Sequence, residues 1–217
     1  MTNWVPSPKC HARRIKKNAE AVTAFQRTCA DRLLALIPPT NVRPIKLWAE
    51  DESRFGLHTI RRRRITACGI KPIGMHQHDF TNFWIYGAVA PQTGESHFME
   101  FPTLNGAMFQ RFLDAFAQAH PETLNVLLVD NAATHKSKEL RVPENVVLLF
   151  QPPYSPEVNP CERVWLAFKT DLAWRCFADL DALRQCLVTV LARYDEPMMH
   201  GLTSYPYLMS AINVLCA

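Results

Sequence analysis

The chain has 217 residues, 48% of them hydrophobic, which suits one core with a small appendage and excludes wholesale disorder. No apolar run approaches the roughly 18 residues needed to span a bilayer, and residues 1–10 lack the apolar centre of a secretory signal, so the expectation is a cytoplasmic protein with no membrane partner. The net charge of +4 is uneven: residues 1–40 hold seven Lys or Arg against two Asp or Glu, and a basic arm on a near-neutral body points to a polyanionic partner.

Residues 19–37 contain neither Gly nor Pro, and Val22, Phe25, Leu33, Leu34 and Ile37 form a partial helical stripe that Pro38-Pro39 ends. A boundary near residue 41 divides a basic helical arm, 1–40, from a main domain, 41–217. Residues 42–50 are rich in strand formers (Ile45, Leu47, Trp48) and run into Asp51-Glu52-Ser53. The stretch 55–79 is less regular and includes Arg61-Arg62-Arg63-Arg64. Residues 82–89 and 97–101 read as a hairpin about the Pro91-Gln92-Thr93-Gly94 turn. Residues 105–120 form an amphipathic helix with Met108, Phe109, Phe112, Leu113 and Phe116 on one face.

The continuous apolar runs 124–129 and 146–150 carry the signature of strands buried on both faces. A short helical stretch follows the first, ending before the second. After the rigid loop Pro152-Pro153-Tyr154-Ser155-Pro156 come two helices, 160–173 and 180–194. Hairpin strands first and helix-separated strands second predict an α/β domain: a mixed five-stranded sheet, partly antiparallel and partly parallel, flanked by helices.

Three acids stand out by position. Asp51 and Asp130 each follow an apolar strand, and Glu162 opens a helix after the proline-rich loop. Side chains from separate strand ends converge in open α/β sheets. Three converging carboxylates repel one another unless cations sit between them, and two Mg²⁺ ions roughly 4 Å apart are the natural solution, a pair suited to in-line displacement at phosphorus. Each acid also has a structural reading. Asp51 can start a turn, Asp130-Asn131 can close a strand as an Asx turn, and Glu162 falls at N3 of a capping box with Asn159 as N-cap and Pro160 at N1.

At this point the residues resemble a known family. Leu128-Val129-Asp130-Asn131-Ala132-Ala133-Thr134-His135, then Pro152-Pro153-Tyr154-Ser155-Pro156 and Asn159-Pro160-Cys161-Glu162-Arg163-Val164-Trp165, are similar to the second and third catalytic blocks of mariner-superfamily DDE transposases, bacterial insertion-sequence branch. Trp48-Ala49-Glu50-Asp51-Glu52 resembles the first. The resemblance covers about 41–175. It implies a ribonuclease-H-like fold, two Mg²⁺ or Mn²⁺ ions held by Asp51, Asp130 and Glu162, and two reactions on DNA: cleavage at transposon ends and 3′-hydroxyl strand transfer into target DNA. It also implies a homodimer that joins two ends, with Asn131 and His135 as auxiliary motif positions. Two departures stand out: the spacing from Asp130 to Glu162 is slightly short, and 65–69 lacks the Trp that many relatives carry there. The helix-turn-helix region that finds transposon ends in these relatives does not fit in 1–40, so end recognition is not expected of this polypeptide by itself. The alternatives are an inactive or regulatory DNA-binding remnant and another ribonuclease-H-like nuclease.

Candidate DNA contacts are the arm residues Arg13, Arg14, Lys16 and Lys17, the cluster Arg61, Arg62, Arg63 and Arg64, and Lys136, Lys138 and Arg163 beside the acids. Trp165, one turn after Glu162, reads as a core anchor for that helix. His76 and His78 alternate as metal ligands would, but no third partner is near in sequence. The seven cysteines are widely spaced without a C-x-x-C pair, which predicts reduced thiols, neither a zinc knuckle nor a redox motif.

Overall fold

Five strands form one mixed sheet: β1 (Ile45–Gly56), β2 (Asn82–Val89), β3 (Ser96–Phe101), β4 (Leu124–Val129) and β5 (Val146–Phe150). Their order is β3-β2-β1-β4-β5, with β1–β2 and β2–β3 antiparallel and β1–β4 and β4–β5 parallel. The computed structural model describes residues 19–63, 68, 70, 73–137 and 139–215. The mixed five-stranded sheet expected from the sequence is therefore present, and every residue of β4 is buried, as a parallel inner strand requires. No helix among the described residues is long and apolar enough to cross a membrane. The described cysteines, Cys29, Cys68, Cys161, Cys176 and Cys186, are free thiols.

The two faces of the sheet follow from the period of 2 along each strand. Trp48, Tyr86, Ala88, Leu127 and Val129 point to one face and pack on α3 (Gly106–Ala119) through Phe109, Phe112 and Phe116. Asn105 starts this helix by accepting the Met108 amide at 2.9 Å. The opposite face carries two clusters. Ala49, Phe55, Phe83, Ile85 and Val89 meet α4 (Cys161–Asp171) and α5 (Leu180–Leu191). Leu47, Val126, Leu128 and Leu149 meet α1 (Ala19–Arg27), α2 (Cys29–Leu36) and α7 (Pro206–Leu215). The helical part of 1–40 thus shares a core with the sheet, through Phe25 and Leu33 above all.

Several elements differ from the sequence-based expectation. The single helix expected over 19–37 is two, α1 and α2, meeting at Thr28, whose hydroxyl bonds back to the Ala24 carbonyl at 2.9 Å, an interaction that bends helices. β1 does not stop at Glu50. Its pairing with β4 ends at Ala49, but pairing with β2 continues from Ala49↔Val89 to Gly56↔Asn82 and carries the strand through its charged residues. The stretch after Asp130 forms turns rather than a helix, with His135 N bonded to the Ala132 carbonyl at 3.1 Å. α6 (Glu196–Thr203) and α7 were not anticipated; α6 is short, is capped by Asp195 and contains Gly201, so its periodic signal is weak. Gly94 (φ +84°) makes the hairpin turn, where a Cβ would also strike the Glu196 carbonyl.

Candidate active site

Asp51 lies in mid-strand, so its neighbours Glu50 and Glu52 point to the other face of the sheet. On the α4 side, Asp51 Oδ2 accepts the Trp165 indole N–H at 3.1 Å. Its cross-strand partner is Gly87, and the close packing needs that glycine: a Cβ there would lie 2.7 Å from both the Trp165 and Phe98 rings. The start of α4 is tied to the same strand. Asn159 donates its amide to the Glu50 carbonyl at 2.7 Å and accepts the Cys161 N–H at 3.0 Å, and the Cys161 thiol donates to the Ala49 carbonyl at 3.1 Å. Asn159 therefore does satisfy a helix-start amide, while Glu162, on the next residue but two, faces a cleft and carries no capping role in these contacts.

That cleft, of about 450 Å³, is lined by Asp51, Asp130 and Glu162, with Asn131, Gln151, the Pro152–Pro156 loop and Asn159. The structure thus brings the three sequence-identified acids to one place from three elements: β1, the end of β4 and the first turn of α4. The loop is held in an unusual form, with the exposed Tyr154 at φ 57°. The three acids are not among the groups whose ligand atoms all lie within 4.8 Å of one another; among the described residues those are His58-His76-His78 and Glu50-Glu52-His135.

The second of these groups supports the cleft from behind. His135 is buried against Phe109, ring centroids 4.2 Å apart, and bridges three acids. Its Nδ1 lies 2.9 Å from Asp130 Oδ1, and its Nε2 lies 3.1 Å from Glu52 Oε1 and 4.0 Å from Glu50 Oε2. Burial disfavours the charged ring, but the hydrogen bonds to Asp130 and Glu52 and the charges of Glu50 and Glu52 outweigh it and push its pKa up to about 11. Each ring nitrogen of His135 thus faces a carboxylate, Nδ1 that of Asp130 and Nε2 that of Glu52, the arrangement that favours the charged ring. In return its hydrogen bond, with that of the Ala132 amide at 2.7 Å, holds Asp130 below the usual carboxylate range. Burial and the nearby acids push the fully buried Glu50 well up.

Among the described residues Asp51 and Glu162 have no cationic side chain in ion-pair contact, only the more distant charge of Lys169. Burial raises Asp51, and repulsion from Glu162, Glu52 and Asp130 raises it further. Burial likewise raises Glu162, with Lys169 opposing and Asp130 adding to the shift. Hard oxygen donors under mutual repulsion, at a cleft open to solvent, fit a divalent cation such as Mg²⁺ or Mn²⁺.

Asn131 donates to the Gln151 carbonyl and accepts from Lys136, which joins the ends of β4 and β5. The exposed Lys136 and Arg163 flank the cleft without lining it; Arg163 sits over the Tyr205 ring at 4.9 Å. Arg61 and Arg63 are exposed and Arg62 is half-buried, its carbonyl accepting the Trp174 indole N–H at 3.1 Å. Arg13, Arg14, Lys16, Lys17, Arg64 and Lys138 lie outside the described residues. Sequence reasoning missed Arg54 and Lys169, which line a second cavity of about 490 Å³ with Arg61. Lys169 is seven residues after Glu162 on one helix, a two-turn spacing that could have signalled it; its ammonium, lowered by burial, is drawn back up by Glu162 and Asp51. The acidic pair Glu50 and Glu52 around Asp51 was a comparable signal, because alternation puts both on the far face and demands a cation there.

Residues 46–184 match the family model of the DDE superfamily endonucleases. The uncharacterized protein y4pE/y4sA of Sinorhizobium fredii (strain NBRC 101917 / NGR234) is 35% identical over 117 residues, which cover 52% of this chain and 87% of that protein. Among solved structures, the Mos1 strand transfer complex matches with a TM-score of 0.65 at 15% identity, covering 100% of this chain and 64% of the Mos1 chain. The Mos1 mariner paired-end complex with Mn matches with a TM-score of 0.62 at 16% identity, covering 100% and 65%. The chain therefore spans just under two thirds of the Mos1 length, and the likeness establishes a shared ribonuclease-H-like fold. From the family match over most of its sheet and both acid-bearing loops, this chain belongs to the DDE superfamily endonucleases.

Proposed function

We propose that this chain is the catalytic domain of a mariner-type DNA transposase, which cleaves DNA at transposon ends and joins the freed 3′-hydroxyl to target DNA. The observation that carries this reading is the convergence of Asp51, Asp130 and Glu162, from three elements, on one cleft of a DDE-family domain. The Mos1 complexes of like fold, a strand transfer complex and a paired-end complex with Mn, support the choice of transposition among the family's reactions.

In this reading Asp51, Asp130 and Glu162 hold two divalent ions, Mg²⁺ or Mn²⁺. When bound, such ions polarise the scissile phosphate and lower the pKa of the attacking water or sugar hydroxyl. The remaining work belongs to the protein. Trp165 fixes one oxygen of Asp51, and His135 fixes Oδ1 of Asp130, so both carboxylates meet their load already oriented. Asn159 and Cys161 set the distance between α4 and β1, and with it that of Glu162 from Asp51. Arg54, Arg61 and Lys169 offer phosphate contacts along the second cavity, and Lys136 and Arg163 beside the acid cleft, with Arg13, Arg14, Lys16 and Lys17 adding to them; such contacts position the duplex without reading its sequence. Two copies of the chain bring two DNA ends together, in the cytoplasm.

Binding of Mn²⁺ to the metal-stripped chain, followed by electron paramagnetic resonance, tests the ligand set. Free Mn²⁺ signal should be quenched by the wild type and much less by Asp51→Asn, Asp130→Ala or Glu162→Gln. Equal quenching by the variant carrying all three replacements would remove these acids as ligands.

A further inference from the structure

The segment joining β1 to β2 gathers three imidazoles, none of which lines the acid cleft. Its base continues the sheet as a loose ladder. Leu57 N donates to the Thr81 carbonyl at 3.0 Å, Thr59 N to the Gln77 carbonyl at 3.2 Å, and Gln77 N to Thr59 Oγ1 at 2.8 Å. Side chains alternate in such extended chain. Gln77 turns one way, where its amide both donates to the Phe177 carbonyl at 2.9 Å and accepts the Phe177 N–H at 3.0 Å. His76 and His78 turn the other way and meet His58, which supplies the third partner that the H-x-H pair lacks in sequence.

Ring centroids are 5.1 Å apart for His58 and His76, 5.3 Å for His58 and His78, and 5.8 Å for His76 and His78. One ring nitrogen of each lies within 4.8 Å of the other two. Phe80 orients the group: His58 stacks on it at 5.1 Å and 10°, and His78 meets it edge-on at 4.9 Å. His58 Nδ1 is buried without a hydrogen-bond partner among the described residues, an arrangement that costs stability until a ligand satisfies it. The nearest carboxylate in sequence, Asp79, is already engaged by the Thr81 amide at 2.8 Å and hydroxyl at 2.6 Å.

We infer that His58, His76 and His78 form a binding site for a borderline transition-metal cation of the Zn²⁺ class, which fastens the two ends of the β1–β2 segment together. Three imidazoles select Zn²⁺, Ni²⁺, Co²⁺ or Cu²⁺ over the hard ions that the acid cleft suits, and three protein ligands leave a fourth position open. Arg61 is the competitor. Its guanidinium donates to His76 Nε2 at 3.0 Å. A neutral imidazole has one lone pair to offer, so a metal binds His76 only by displacing Arg61. The arginines at 61–63 begin three residues after His58 in the chain, so a fastened base also fixes where they leave the sheet.

The test uses the full chain, stripped with chelator and desalted, titrated with ZnCl₂ by calorimetry and with CoCl₂ by visible absorption. His76 and His78 are exposed, so Asn at either leaves the fold intact, which circular dichroism checks. The wild type should bind one equivalent of Zn²⁺ at this site and show ligand-field bands with Co²⁺. His76→Asn and His78→Asn should each weaken binding at least about tenfold, the scale by which even outer partners of a metal ligand act. Arg61→Gln should tighten it, an effect that a merely packed aromatic cluster would not give. Asp130→Ala should leave it unchanged, which separates this site from the acid cleft. Absence of saturable Zn²⁺ binding, or binding that survives both His→Asn replacements unchanged, overturns the inference and leaves the reading of the acid cleft untouched.

Discussion

Replacing His135 by Ala removes the only cation seen between Asp130, Glu52 and Glu50 among the described contacts. The imidazole is buried and its neighbours push its pKa up to about 11, so the variant leaves carboxylates in a low-dielectric pocket without their counter-charge. Breaking a buried pair from one side costs about 3–5 kcal/mol, and at about 2–4 °C per kcal/mol in a domain of this size the melting temperature should fall by about 6–20 °C. The pH dependence gives the reasoning its sign. The folded pKa of about 11 lies above the unfolded value near 6.5, so the contribution of His135 is fully present below about pH 6.5 and is lost as pH rises through 11. The variant lacks this gain, so the gap to wild type should widen on acidifying from pH 8 to about 6.5 and change little from there to pH 5. Thermal melts of both proteins across that range, in chelator, make the measurement. A loss below about 1 kcal/mol, with the same gap at every pH, would refute the buried imidazolium.

Asp51→Asn should stabilise the metal-free chain while abolishing its chemistry. The folded pKa is raised, so ionised Asp51 works against the fold above the ordinary carboxylate range, and the Asn carbonyl still accepts from Trp165. A rise of about 2–4 °C in melting temperature, the scale of 1 kcal/mol here, is expected in chelator, and a fall would contradict the repulsion. Trp165→Phe frees the carboxylate and leaves a gap where the indole packs against Phe98, so it should slow DNA cleavage by about 10–100-fold and also lower the melting temperature. Cleavage should also weaken on acidification from a pH above the ordinary carboxylate range, because Asp51 and Glu162 are both raised and must lose protons to bind metal. A rate that stays flat into the carboxylate range would show that these acids are not ligands.

The sheet was readable because its strands announce themselves: β4 and β5 as unbroken apolar runs, β2 and β3 as a hairpin around Gly94. The acids were readable for the same reason, since an apolar run that ends on Asp130 marks a strand end. What escaped the sequence depends on long-range pairing. The strand read from the sequence ends at Glu50 and runs into Asp51-Glu52-Ser53, yet β2 supplies the ladder that continues it to Gly56. That continuation splits Asp51 from Glu50 and Glu52 across two faces and gives His135 its place. His58 is separated from His76 in the chain, and only the ladder at the loop base makes them neighbours. The capping reading of Glu162 was locally sound, but α4 starts one residue later than expected, at Cys161, and the Asn159 backbone N–H that a capping Glu162 would accept goes to the Pro156 carbonyl at 3.0 Å.

The most direct measurement is nicking of supercoiled plasmid by the purified chain in Mg²⁺, in Mn²⁺ and in EDTA, beside Asp130→Ala. Nicking that needs either metal, stops in EDTA and is lost in Asp130→Ala is the expected result. Nicking that persists in EDTA or in Asp130→Ala would contradict a carboxylate-held metal centre in this cleft.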